Sequence, residues 1–141
     1  MPRRAEPAGL RLPAAIADRL LEHADLEDPN EACALLGGNA GTGRVTSVHL
    51  ARNELESPYR YSVAPADLVR AMDIIERAGE DLVAIFHSHP TTAPVPSATD
   101  RREARYAAIH LIAGVSDGRR TFRAWSLEGS LAVPVRFAIG G

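Results

Sequence analysis

Residues 81 to 100 read "DLVAIFHSHPTTAPVPSATD": a near-continuous apolar run, two histidines one residue apart, a proline-rich loop, then a serine and an aspartate. An apolar run of this length predicts a β-strand over 81–89 buried on both faces, as the central strand of a sheet covered on two sides. Side chains alternate across a strand with period two, so His87 and His89 project to the same side. Buried strands seldom end in two imidazoles unless something is held between them.

Working outward, the flanking segments supply the layers such a strand needs. "PAAIADRLLEHADL" (13–26) places Ile16, Leu20, Leu21 and Ala24 on one helical face, and Pro13 suits a first helical turn. "EACALLGG" (31–38) and "VTSVHLA" (45–51) read as two strands joined by the glycine-rich turn "GGNAGTGR", a hairpin. "YRYSV" (59–63) reads as a short strand. "APADLVRAMDIIERAGE" (64–80) carries Leu68, Met72 and Ile75 at helical spacing and stops at Gly79. "SATDRREARYA" (97–107) reads as a short helix. Three further strands follow in "AIHLIAG" (108–114), "TFRAWSL" (121–127) and "LAVPVRF" (131–137). The expected fold class is α/β, a single-domain mixed β-sheet flanked by helices over residues 1–141, with 1–10 and 138–141 as flexible tails.

Two imidazoles on one side of a strand can grip one metal ion. A catalytic zinc keeps three protein ligands and leaves a position for water, so one more ligand is needed. Asp100 is the candidate: it follows His89 by eleven residues, across a loop stiffened by Pro90, Pro94 and Pro96, at the start of a helix. Two histidines and a carboxylate suit zinc, although iron uses the same set. A His-x-His pair alone is weak evidence, and Ser97 with Asp100 equally fits a helix capping box. The combination within fourteen residues is far more specific than any part.

That combination, "HSHPTTAPVPSATD", resembles the JAMM (MPN+, JAB domain) metalloprotease signature of His-Ser/Thr-His-Pro, six residues, then Ser-x-x-Asp. The family has an upstream glutamate near the end of its first helix, and "DPNEACALLGG" supplies Glu31. The order of helices and strands is similar to the JAMM/MPN (cytidine-deaminase-like) fold over nearly the whole chain. The resemblance implies a small stand-alone prokaryotic member with one zinc held by His87, His89 and Asp100. It further implies Glu31 as general acid/base and Ser97 as a donor to the oxyanion. Ala34 stands where many relatives have glycine. The chain lacks room for the long insertions that give some eukaryotic relatives a ubiquitin-linkage preference, so polyubiquitin specificity is not implied.

The resemblance implies hydrolysis of the amide bond after the C-terminal Gly-Gly of a ubiquitin-like or sulfur-carrier protein. A zinc-stabilised, non-catalytic interaction module is the competing reading, weakened because structural zinc sites usually close with four ligands. Hydrolysis of small amides is a third. The substrate-binding residues, the oligomeric state and the nature of the leaving amine stay open.

Composition bounds these readings. The net charge of −2 offers no basic field for a nucleic-acid backbone. No stretch reaches the roughly 18 apolar residues that span a bilayer. Cys33 is the single cysteine, which excludes an internal disulfide and favours a cytoplasmic location. It is expected to be a small buried side chain. All 16 basic residues are arginine, a pattern that genome composition explains without invoking function. His23, His49 and His110 have no partner spacing and are assigned to surface or packing, as is Trp125. Tyr59 and Tyr61 could flank a groove but fit core contacts better.

Overall fold

In a computed structural model, which describes residues 9–104, 108–129 and 131–140, eight strands form one mixed sheet with three helices. The elements are β1 (Leu10–Leu12), α1 (Ala14–Glu27), β2 (Cys33–Asn39), β3 (Arg44–Ala51), α2 (Pro65–Arg77) and β4 (Asp81–Ser88). After these come α3 (Ala98–Glu103), β5 (Ile109–Ser116), β6 (Arg119–Glu128), β7 (Leu131–Val135) and β8 (Phe137–Ile139). The strand order is β7-β6-β5-β4-β2-β3-β1-β8. Strand β4 is therefore interior, antiparallel to β2 and parallel to β5, as its unbroken apolar run requires.

The two ends of that order are neighbours in the chain. Only Arg136 separates β7 from β8, and its carbonyl accepts from Leu10 N at 2.7 Å. Consecutive Cα atoms are about 3.8 Å apart, so both sheet edges meet at this corner and the sheet is rolled rather than flat. One face carries Ala34, Leu36, Ala84, Phe86, Leu111 and Ala113, packed on Leu20 and Ala24 of α1. Ile16 and Leu21 join the same cluster part-buried, matching the predicted helical stripe. The opposite face packs Cys33, Leu35 and Ala51 against Ala71 and Ile75 of α2, with Leu68 and Met72 at its margin. Helix α2 ends where Gly79 takes φ +71°, a left-handed conformation that suits glycine.

Four expectations are corrected. Glu31 precedes β2, which starts at Cys33, and lies beyond the last residue of α1 at Glu27. Residues 59–63 form no strand; a single bridge joins Asn53 to Val63, because the Asn53 side chain takes the backbone bonds a ladder would have used. The strand predicted over 131–137 breaks at Arg136 to cross to the other edge. The tails expected at 1–10 and 138–141 are ordered at Leu10, Ala138 and Ile139, which pair in β1 and β8. Residues 105–107, the end of the predicted third helix, lie outside the described residues. No described helix is long and apolar enough to cross a membrane.

Candidate metal centre and cleft

Strand register builds the centre row by row. Cys33, His87 and Ile112 are lateral neighbours across β2, β4 and β5, and the row one step away is Leu35, Ile85 and His110. His87 and Ser88 are the last two buried residues of β4, and His89 follows with its backbone N–H on Ala113 O at 2.7 Å. Across the loop, Ser97 N-caps α3 in a reciprocal box. Ser97 Oγ accepts from Asp100 N at 3.0 Å, and Ser97 N donates to Asp100 Oδ2 at 2.8 Å. The capping expected from sequence thus turns Asp100 back towards β4.

Three atoms converge there. His87 Nε2, His89 Nε2 and Asp100 Oδ2 are each 3.2 Å from the other two. Tetrahedral coordination with bonds of about 2.0–2.1 Å spaces its ligand atoms about 3.3–3.4 Å apart, so this triangle fits a metal ion without rearrangement. His89 Nδ1 lies 2.9 Å from Ala93 O; carrying its proton there leaves the Nε2 lone pair facing the triangle. Burial pulls His87 below its ordinary pKa, which also favours a free lone pair. Burial alone would raise Asp100, but in the metal-free state, where protons on His87 and His89 Nε2 can point at it, those rings and the bond from Ser97 N hold its carboxyl well below the usual carboxylate range.

Glu31 stands beside the triangle rather than in it. Its carboxylate lies within 4.8 Å of the two imidazole ligand atoms, and its Oε1 is buried with no hydrogen-bond partner among the described residues. Glu31, His87 and His89 thus form a second candidate ligand set, alongside the equilateral 3.2 Å triangle made with Asp100. Burial is the main cause that pushes Glu31 up to about 8, with Asp100 adding and His89 opposing. The neighbouring backbone is pinned: Ala32 N donates to Ser88 Oγ at 2.8 Å, and Glu31 N to Ser57 O at 2.8 Å.

Several site neighbours escaped the sequence reading. Asn53, 4% exposed, donates to Glu31 O and Arg60 O and accepts from Leu55 N and Ser62 N, tying Glu31 to the 53–62 loop. Tyr61 stacks on His87 with ring centroids 4.5 Å apart, whereas Tyr59 is exposed. Trp125 is packed as expected, but its Nε1 also donates to Pro94 O at 2.9 Å and so anchors the proline loop. Only the Tyr59/Tyr61 pair had left a hint, as possible groove residues; the other contacts are long-range and leave no spacing to read. Cys33 is fully buried, its thiol pushed up to about 12 mainly by burial, and so is unsuited to nucleophilic work. His23 is also structural, its Nε2 3.1 Å from Cys33 O and 3.3 Å from Ala51 O.

A cleft of about 480 Å³ opens beside Asp100, floored by Leu35, Ile85 and His110 and walled by Tyr61, Leu68 and α3. Arg60 and Glu103 form an ion pair at 2.5 Å between two of its lining segments.

The comparisons agree with this architecture. The family model described as prokaryotic homologs of the JAB domain matches residues 13–128. The chain is 36% identical to the desampylase of Haloferax volcanii over 122 residues, covering 83% of this chain and 88% of that one. It is 34% identical over 114 residues to a probable TtuB-protein conjugate cleaving protease of Thermus thermophilus, covering 80% and 74%. The solution structure of a protein from Desulfitobacterium hafniense superposes with a TM-score of 0.82 at 28% identity, covering 92% of each chain.

Proposed function

Since the chain belongs to the family of prokaryotic homologs of the JAB domain, we propose that it is a zinc-dependent isopeptidase or endopeptidase. Its substrate is a ubiquitin-like or sulfur-carrier protein, and it hydrolyses the amide bond after that protein's C-terminal Gly-Gly. The observation that carries the reading is the 3.2 Å triangle of His87, His89 and Asp100 with the buried Glu31 beside it, whose Oε1 has no hydrogen-bond partner among the described residues. Its relatives include a desampylase and a probable TtuB-protein conjugate cleaving protease, which supports the reading. The domain is taken as 1–141 and the location as cytoplasmic, the latter on the single reduced cysteine.

His87, His89 and Asp100 would hold one zinc per chain. Zinc supplies Lewis acidity, lowering the pKa of water to about 7 and polarising a carbonyl. Glu31, raised by burial in the metal-free site, would be returned to its carboxylate form by a cation held beside it, and as the carboxylate it takes a proton from the attacking water and returns it to the departing amine. The Ser97 oxygen accepts from Asp100 N, which leaves its hydroxyl proton free to donate to the developing oxyanion. Tyr61 stacked on His87 holds that ring in plane and covers it from solvent. A closed structural site would take Glu31 as a fourth ligand and leave no position for water, which the test below distinguishes.

The test is cleavage of a ubiquitin-like carrier extended past its Gly-Gly, by wild type and Glu31→Gln, with zinc and with chelator. Cleavage after the second glycine by zinc-loaded wild type alone is the expected result. One bound zinc without any cleavage would overturn the reading in favour of a structural module.

A further inference from the structure

His110 has no role in the mechanism above, yet its surroundings are unusual. The residue is 3% exposed, and neither ring nitrogen has a hydrogen-bond partner among the described residues. Leaving buried polar atoms unpaired is costly, and native proteins retain such sites mainly where water or a ligand completes them. His110 also forms part of the cleft floor, in an otherwise apolar row with Leu35 and Ile85. That row is adjacent to the row holding His87, on the same face of the sheet. Two residues along a strand span about 6.7 Å, which is also the reach of two residues of extended peptide.

We propose that His110 is a specificity-determining residue that hydrogen-bonds the substrate tail about two residues from the bond that is cut. A neutral imidazole offers one donor and one acceptor, matching a peptide group or a side-chain amide or hydroxyl. Burial, the main influence on its titration, keeps the ring neutral at pH 7. In the complex the substrate pairs the donor and the acceptor. A tail that presents only apolar atoms at that point leaves them unpaired and is disfavoured. The inference rests on the peptidase reading and deepens it.

The experiment compares wild type, His110→Leu and His110→Gln on the same Gly-Gly carrier fusion, with zinc content, melting temperature, KM and kcat measured for each. Expected for His110→Leu are full zinc content, an unchanged or raised melting temperature, a rise in KM of about 3- to 10-fold and kcat within about twofold. His110→Gln, which keeps a donor and an acceptor, should recover part of the KM. If Leu fails to fold, Gln and Asn carry the comparison through their KM alone. Wild-type KM in every variant, or a fall in melting temperature and kcat with KM unchanged, would overturn the proposal while leaving the peptidase intact. No cleavage by the zinc-loaded wild type would overturn both.

Discussion

At the scale of single residues the site is a set of groups whose protonation is fixed by where they sit. Glu31 is the clearest case. Its folded-state pKa is raised to about 8 from an ordinary 4.5, so the metal-free protein has no penalty below pH 4.5, where the carboxyl is protonated folded or unfolded. Between 4.5 and 8 the unfolded chain releases the proton and the folded one keeps it, so stability falls with rising pH across that window. Glu31→Gln removes the slope: the metal-free variant should melt higher than wild type at pH 8 and nearly equal at pH 4.5. Equal melting curves at both pH values would refute the burial argument. The same variant should retain zinc and lose about 10²- to 10⁴-fold in turnover, the range of a general acid–base group. Ser97→Ala should lower kcat about 10²- to 10³-fold and cost about 1 kcal/mol through the lost helix cap. Loss of stability with normal kcat would confine Ser97 to capping. The gathering of His87, His89, Ser97 and Asp100 was legible because one strand, one loop and one helix cap position them all within fourteen residues. Asn53 was not legible, and Tyr61 only as a possible groove residue, since each reaches its target across a long stretch of chain.

At the scale of elements the proline loop between β4 and α3 is held by β5. Val115 N donates to Thr92 O at 2.7 Å, and Gly114 lies beneath the chain where a Cβ would sit 2.4 Å from Pro94 N and 2.6 Å from Thr92 O. Only a glycine admits that approach. The same loop carries Ala93 O, which orients His89. Gly114→Ala should therefore destabilise the fold by about 1–3 kcal/mol through overpacking and weaken zinc affinity about 10- to 100-fold by misorienting that ring. Thermal melts and competition against a chelator read the two effects separately. A lowered melting temperature with wild-type zinc affinity would show that the loop moves without carrying His89. Long elements with strong periodicity, α1, α2 and β4, were readable from the chain. The false strand at 59–63 shows the limit: alternating Tyr59, Tyr61 and Val63 look like a ladder, but the Asn53 amide takes the backbone bonds, and side-chain capping of that kind leaves no periodic trace.

At the scale of the molecule, closure and catalysis are assigned to different parts of the sheet. The rolled shape depends on β1 and β8, each of three residues, too short for any alternation to be recognised in sequence. They pair in parallel over Leu10–Phe137, Arg11–Ala138 and Leu12–Ile139, and Phe137 packs on Phe122 with centroids 5.9 Å apart. The candidate centre sits on β2, β4 and β5 in the middle of the strand order, and only β3 and β1 stand between β2 and that edge. Removing residues 137–141 should leave β1 paired only with β3, expose the fully buried Leu10 and Leu12, and leave the central rows in register. Fully burying such a side chain contributes about 1.5–3 kcal/mol, so the truncated chain should lose several kcal/mol and melt at least about 10 °C lower. Measured on the folded fraction at low temperature, its zinc affinity and kcat should stay within about twofold of the full chain, because His87, His89, Asp100 and Glu31 keep their supports. A truncated protein that is folded yet unable to hold zinc would mean that closure at Arg136 tensions the central strands, and that the edge of this sheet belongs to the site.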